Sequence, residues 1–144
     1  MDSNRYAPPK AVVEDIAAQH TSGDILNLPV SDSWKAKFFL LEKAGGVRMT
    51  GIKGLSFSER MKITFNLLAF LFGPIYYVFK GMWKKGLAIF GASLVLVVLI
   101  GFLLELAGLG RFANALGYGA AAFYAIRANI DYYKKMVLKQ NGWW

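Results

Sequence analysis

The stretch Ile63-Thr64-Phe65-Asn66-Leu67-Leu68-Ala69-Phe70-Leu71-Phe72-Gly73-Pro74-Ile75-Tyr76-Tyr77-Val78-Phe79 decides the architecture. Its first arm, Ile63 to Phe72, would extend about 15 Å as a helix, half of a typical hydrocarbon core. Gly73-Pro74 then interrupts the hydrogen-bond ladder, because proline lacks an amide proton and clashes with the preceding turn. Ile75 to Phe79 continues the apolar run into a basic cluster, Lys80-Gly81-Met82-Trp83-Lys84-Lys85. Two geometries fit: a re-entrant or interfacial helical hairpin, and a short Pro-kinked span. A helix broken inside a membrane leaves backbone groups free, and transporters use such breaks to bind ligands. Asn66, Gly73, Pro74 and Asn114 are therefore candidates for a site at the break. The asparagines would equally serve to stitch helices together.

Downstream, Leu87 to Leu104 carries no charge, and with Glu105 the run extends to Ala107. It is long enough to cross a bilayer. Gly108 to Arg111 makes a turn, and residues 112–130 form a second, weaker span rich in Ala and Gly. Charge chooses between the geometries. If residues 63–79 cross, then Lys80, Lys84, Lys85, Lys134, Lys135 and Lys139 face outward, against the positive-inside tendency. If they re-enter, only Arg111 lies outside. The reading is an all-α integral membrane protein with both termini cytoplasmic. A flexible tail (1–30) precedes an amphipathic segment (31–62) and a membrane domain (63–135), and a C-terminal tail (136–144) ends the chain. Within the membrane domain, 63–85 is the broken hairpin and 87–107 and 112–130 are the transmembrane pair. Ala113, Gly117, Ala121 and Ala125 recur every fourth residue, a stripe of small side chains suited to close helix packing. Trp34, Tyr76, Tyr77, Trp83, Lys84, Lys85, Arg127, Tyr132 and Tyr133 are expected as interface anchors.

Upstream, residues 31–44 read as an amphipathic helix with Trp34, Phe38 and Leu41 on one stripe. That stripe suits the membrane interface or the protein's own membrane domain. Ser56-Phe57-Ser58-Glu59 has the form of a capping box, so a helix begins near Phe57 and runs into the apolar stretch. Arg127 and Asp131 are spaced as a helical ion pair, and Glu105 lies near Arg111. The first residues show no basic region leading into an apolar run, so no signal peptide is expected. Val12, Val13, Ile16 and Ala17 could form one helical turn or two within this flexible tail, and the alternative is a short docking segment for a partner.

The composition fits this picture. Apolar residues make up 56% of 144, charged residues 18%, and the formal charge is +8. There is no Cys and one His, His20. A disulfide scaffold, a cysteine nucleophile and a cluster of histidines around a metal are excluded. Lysines flanking apolar runs point to anionic lipid on the cytoplasmic face and not to nucleic acid.

Asn66 to Tyr77 with its Phe-Gly-Pro-Ile-Tyr-Tyr, followed by Lys80 to Gly86 with its Gly-Met-Trp-Lys-Lys, resembles a family of bacterial inner-membrane proteins, domain of unknown function 2628. Trp34 to Gly46 and Ala125 to Tyr133 are similar to segments of the same family, so the resemblance covers about residues 31–135. It implies a bacterial inner-membrane location and no particular activity. The expectation is a small accessory or interaction protein without catalysis, cofactor or metal, whose partners are the bilayer and another membrane protein or a second copy. The alternatives are a minimal oligomeric channel or transporter subunit using the Gly73-Pro74 break, and an immunity-like protein that binds a membrane-active toxin.

Overall fold

The computed structural model describes residues 24–144. From residue 32 onward six α-helices follow one another: α1 Asp32–Lys43, α2 Phe57–Thr64, α3 Leu67–Phe72, α4 Pro74–Phe79, α5 Trp83–Leu106 and α6 Ala115–Met136. Among the described residues there is no strand. The docking segment expected near Val12 to Ala17, and His20, lie outside the described residues. Of the segment expected as a tail, 1–30, the described residues include Ile25 and Leu28, both buried in the core.

Each helix start has a local cause. The capping box is formed: Glu59 N donates to Ser56 Oγ at 3.3 Å, and Ser56 N donates to Glu59 Oε2 at 2.8 Å. Lys43 adds an ion pair to Glu59 at 3.2 Å. These donors hold the Glu59 carboxyl down at about 2, the Ser56 amide contributing most. The helix begun at Phe57 does not run on to Phe72, as the apolar pattern suggested. It stops at Thr64, and Phe65 and Asn66 are extended. Asn66 restarts the chain as the N-cap of α3, its Oδ1 accepting from Ala69 N at 3.1 Å. Asparagine at this position satisfies a donor that the first helical turn leaves free.

A second break follows at Gly73, whose φ of 49° and ψ of −121° lie outside helical backbone. Proline at the first position of α4 is suited to restarting a helix, since its missing amide has no partner there anyway. Each arm, α3 and α4, is six residues long, about 9 Å. Lys62 and Lys80, at opposite ends of the run, line one cavity. Asn66, at the start of α3, also reaches Tyr76 of α4 at 3.0 Å, so the two arms bend toward one another about Gly73.

Helix α3 packs on α6, α4 packs on the start of α5, and α5 and α6 pair as a longer hairpin closed by a 3-10 turn at Gly110–Phe112. The α1 stripe packs on the protein itself: the Trp34 and Tyr132 rings are 4.6 Å apart and those of Phe38 and Tyr133 5.8 Å. Such aromatic pairs contribute about 0.5–1.5 kcal/mol each beyond area burial. The core gathers at one end of the molecule, around Phe38, Leu41, Ile63, Tyr77, Met82 and Ala128. The far part of α5 carries no such cover. Leu94, Val95, Leu96, Val98, Leu99, Phe102 and Leu103 are all exposed. Among the described residues one helix, α5, is long and apolar enough to cross a membrane. The C-terminal tail folds back, with Trp143 against Trp83 at 5.9 Å and Asn141 Nδ2 donating to Gly81 O at 3.2 Å.

Candidate functional site

The broken hairpin sits on a buried polar junction supplied mainly by the last turns of α6. Asn129 is fully buried, and its Nδ2 faces the carbonyls of Lys62, Ile63 and Phe65 at 3.1, 3.0 and 3.3 Å. These are carbonyls at the end of α2, which a helix terminus leaves without intrahelical partners. Asn129 Oδ1 accepts from Asn66 Nδ2 at 2.9 Å, and the same Nδ2 lies 3.0 Å from Tyr76 Oη. The Asn66 backbone amide donates to Ala125 O at 3.1 Å. The backbone freed at Phe65–Asn66 is thus engaged by α6, two turns of which act as a template for α3.

Two residues further along, Asp131 gathers three partners. It is 0% exposed. Tyr77 Oη donates to its Oδ2 at 3.0 Å, and Arg127 Nη2 donates to its Oδ1 at 3.3 Å. Lys85 Nζ lies 3.9 Å from Oδ1 and donates to Gln140 O at 3.2 Å. A buried carboxylate requires such pairing, since the effective cost of desolvating an ion is several kcal/mol. Tyr124 Oη donates to Gly86 O at 3.0 Å and fixes α5 against α6. A side chain at Gly86 would meet Tyr77 Cβ at 2.8 Å, so glycine permits the close approach of α4 to α5. Among the described residues no buried side-chain nitrogen or oxygen lacks a partner.

The expected site residues separate accordingly. Asn66, Gly73 and Pro74 are at the hairpin, and Asn66 joins the junction. Asn114 is exposed at the start of α6 and shares a groove with Phe70, Leu71 and Gly117 without capping the break. Of the small-residue stripe, Ala125 is buried against α3, Ala113 and Ala121 are half-buried, and a Cβ at Gly117 would meet no atom within 4 Å. Several expected interface anchors lie inside the protein. Tyr76, Tyr77, Tyr132 and Tyr133 are core residues, and Lys85 is 1% exposed, its charge met by Asp131. Burial within the chain removes them from contact with headgroups. Trp83 is exposed, while Trp34, Lys84 and Arg127 are half-buried.

Sequence reading missed Asn129 as the cap of α2 and Lys85 as an internal cation. The pair Arg127–Asp131 is present with its helical spacing. The available signal was a cluster of polar side chains, Arg127, Asn129 and Asp131, on an otherwise apolar helix. Such residues face a protein interior more readily than lipid.

The family described as "Protein of unknown function (DUF2628)" matches residues 17–137. Relatives include the "Uncharacterized protein YigF" of Escherichia coli strain K12, 30% identical over 122 residues that cover 79% of this chain and 90% of the relative. The proteins of the same description from Salmonella typhimurium and Salmonella typhi are each 28% identical over 122 residues, with the same coverage. No solved structure matches the chain significantly.

Proposed function

This chain belongs to the bacterial DUF2628 family, and from that premise we propose that it is a non-catalytic accessory protein of the inner membrane. In this reading α5 and α6 cross the bilayer as a hairpin. The α3–α4 hairpin enters it shallowly from the cytoplasmic side, and both termini stay with α1 and α2 in the cytoplasm. The observation that carries the reading is the bare surface of α5 beyond Ile89. Eight large apolar side chains from Leu94 to Leu103 are exposed in one continuous helix. Burying such a side chain is worth about 1.5–3 kcal/mol, so a surface of this kind requires lipid or protein around it. The helix is 24 residues long, about 36 Å, which spans a hydrocarbon core with some tilt.

The polar junction favours a scaffold over a transport site. Its buried donors and acceptors are engaged with one another. The groove over the break is lined by Phe70, Phe72, Phe90, Leu94 and Tyr124 and is about 370 Å³, mostly apolar. Fractionation tests the proposal. The full chain should stay with membranes through an alkaline carbonate wash and leave with detergent. Release by carbonate would overturn the membrane-spanning reading. Purified protein in liposomes should give no ion flux above empty vesicles, and a conductance would favour the channel reading instead.

A further inference from the structure

The mouth of the broken hairpin is a basic cavity beside the polar junction, with Asn66 and Tyr76 lining both. Lys37 of α1, Lys62 of α2 and Lys80 after α4 line an open space of about 570 Å³, with the hydroxyls of Ser33 and Ser58. No carboxylate lines it. Among the described residues the ion pairs involve other lysines, so these three ammonium groups have no carboxylate partner there. Lys37 Nζ and Lys80 Nζ stand over the same Trp34 ring, at 4.6 and 4.7 Å from its centroid. Lys80 Nζ is also 4.5 Å from the Tyr132 centroid. Aromatic faces attract a cation but add no negative charge, so the convergent positive potential stays uncompensated. Burial lowers the pKa of both ammonium groups, and the charges of Lys37 and Lys135 lower that of Lys80 further. An anion in the cavity would relieve that repulsion. The rim is apolar, with Leu67 and Leu68 more than half exposed beside the lysines.

We propose that this cavity holds the phosphate of an anionic phospholipid headgroup, with Lys37, Lys62 and Lys80 around the phosphate and the acyl chains along Leu67 and Leu68. The inference rests on the membrane reading above and assigns a ligand class to the mouth of the hairpin. Inorganic phosphate would meet the same ammonium groups. The lipid is favoured because the cavity joins its charges to exposed leucines, which a free anion cannot use. The arrangement is a headgroup site in miniature: cations and hydroxyls above, apolar surface below.

The test uses the full chain purified in mild detergent, with bound lipid counted by native mass spectrometry. Phosphatidylglycerol should be retained in preference to phosphatidylethanolamine. Lys62→Gln and Lys80→Gln should each lower that retention about fivefold. Lys62 is exposed, so its variant leaves the core packing untouched. Lys53→Gln and Lys139→Gln change the net charge equally and should leave retention as it was. An equal loss in these controls would reduce the effect to overall charge and overturn the site. Displacement of the lipid by millimolar inorganic phosphate would overturn the lipid assignment. The measurement is made in detergent, so it stands apart from the fractionation test of membrane insertion.

Discussion

Asn66 and Asn129 join side chain to side chain at 2.9 Å, across 63 positions of sequence. One caps the start of α3 and the other covers the open end of α2, so the pair closes the same backbone interruption from both sides. The break in the helix is therefore a built feature, held by α6.

Replacing Asn129 by Ala should strand the Lys62, Ile63 and Phe65 carbonyls and remove one partner of the Asn66 side-chain amide. A buried polar group without a partner costs about 1–3 kcal/mol, and several are affected at once. We expect a loss of at least about 2 kcal/mol in unfolding experiments in detergent. Asn114→Ala, at an exposed position that makes no side-chain cap, should shift stability by less than about 0.5 kcal/mol. Equal effects of the two variants would contradict the assignment of Asn129.

Asp131→Ala removes the counter-charge of a buried Lys85. Breaking one side of such a pair costs about 3–5 kcal/mol, because the remaining charge is left uncompensated. The double variant Lys85→Met/Asp131→Leu should recover much of that loss. Thermal unfolding of both singles and the double gives the coupling. Additive losses would mean that Lys85 and Asp131 do not form one unit.

Gly86→Ala should be costly, since its new methyl meets Tyr77 Cβ at 2.8 Å. Overpacking of this kind costs roughly 1–3 kcal/mol. Gly117→Ala meets no atom within 4 Å and should be neutral or stabilising within one chain, because alanine favours a helix by about 1 kcal/mol over glycine. The comparison is made by melting temperature in detergent. If Gly117→Ala destabilises more than Gly86→Ala, the exposed stripe of α6 packs against a second molecule.

The pH dependence of stability should show the capping box. The Glu59 carboxyl is held at about 2 in the folded chain, below its ordinary 4.5. A carboxyl depressed on folding stabilises the native state fully above its unfolded pKa, and that stabilisation is lost as pH falls through the folded one. Melting temperature should therefore decline between about pH 5 and pH 2 in part through this group. Glu59→Gln should flatten the decline. An unchanged profile would show that the box does not contribute.

The helical class, the capping box, the Arg127–Asp131 pair and the break at Gly73-Pro74 were legible because each is written in a few neighbouring residues. The second break was not. Leu67, Leu68 and Phe70 make the stretch read as one apolar helix, and Asn66 becomes a cap only because Asn129 and the Ala125 carbonyl stand opposite it. Lys85 was read with Lys84 as a basic flank, since its counter-ion lies on a distant helix. The tyrosines misled in the same way. Tyr76, Tyr77, Tyr132 and Tyr133 look like an interfacial belt in sequence, yet their ring contacts and hydroxyl partners place them in a core.

The central claim is that α5 and α6 cross the membrane while the broken hairpin returns to the side it left. The chain has no cysteine, so single cysteines can be placed at Lys62, Lys84 and Arg111 without a background. Intact cells are treated with a membrane-impermeant thiol reagent. Labelling is expected at position 111 alone, with positions 62 and 84 reacting only after the membrane is opened. Labelling of position 84 from outside, with position 62 protected, would contradict it and make residues 63–79 a crossing.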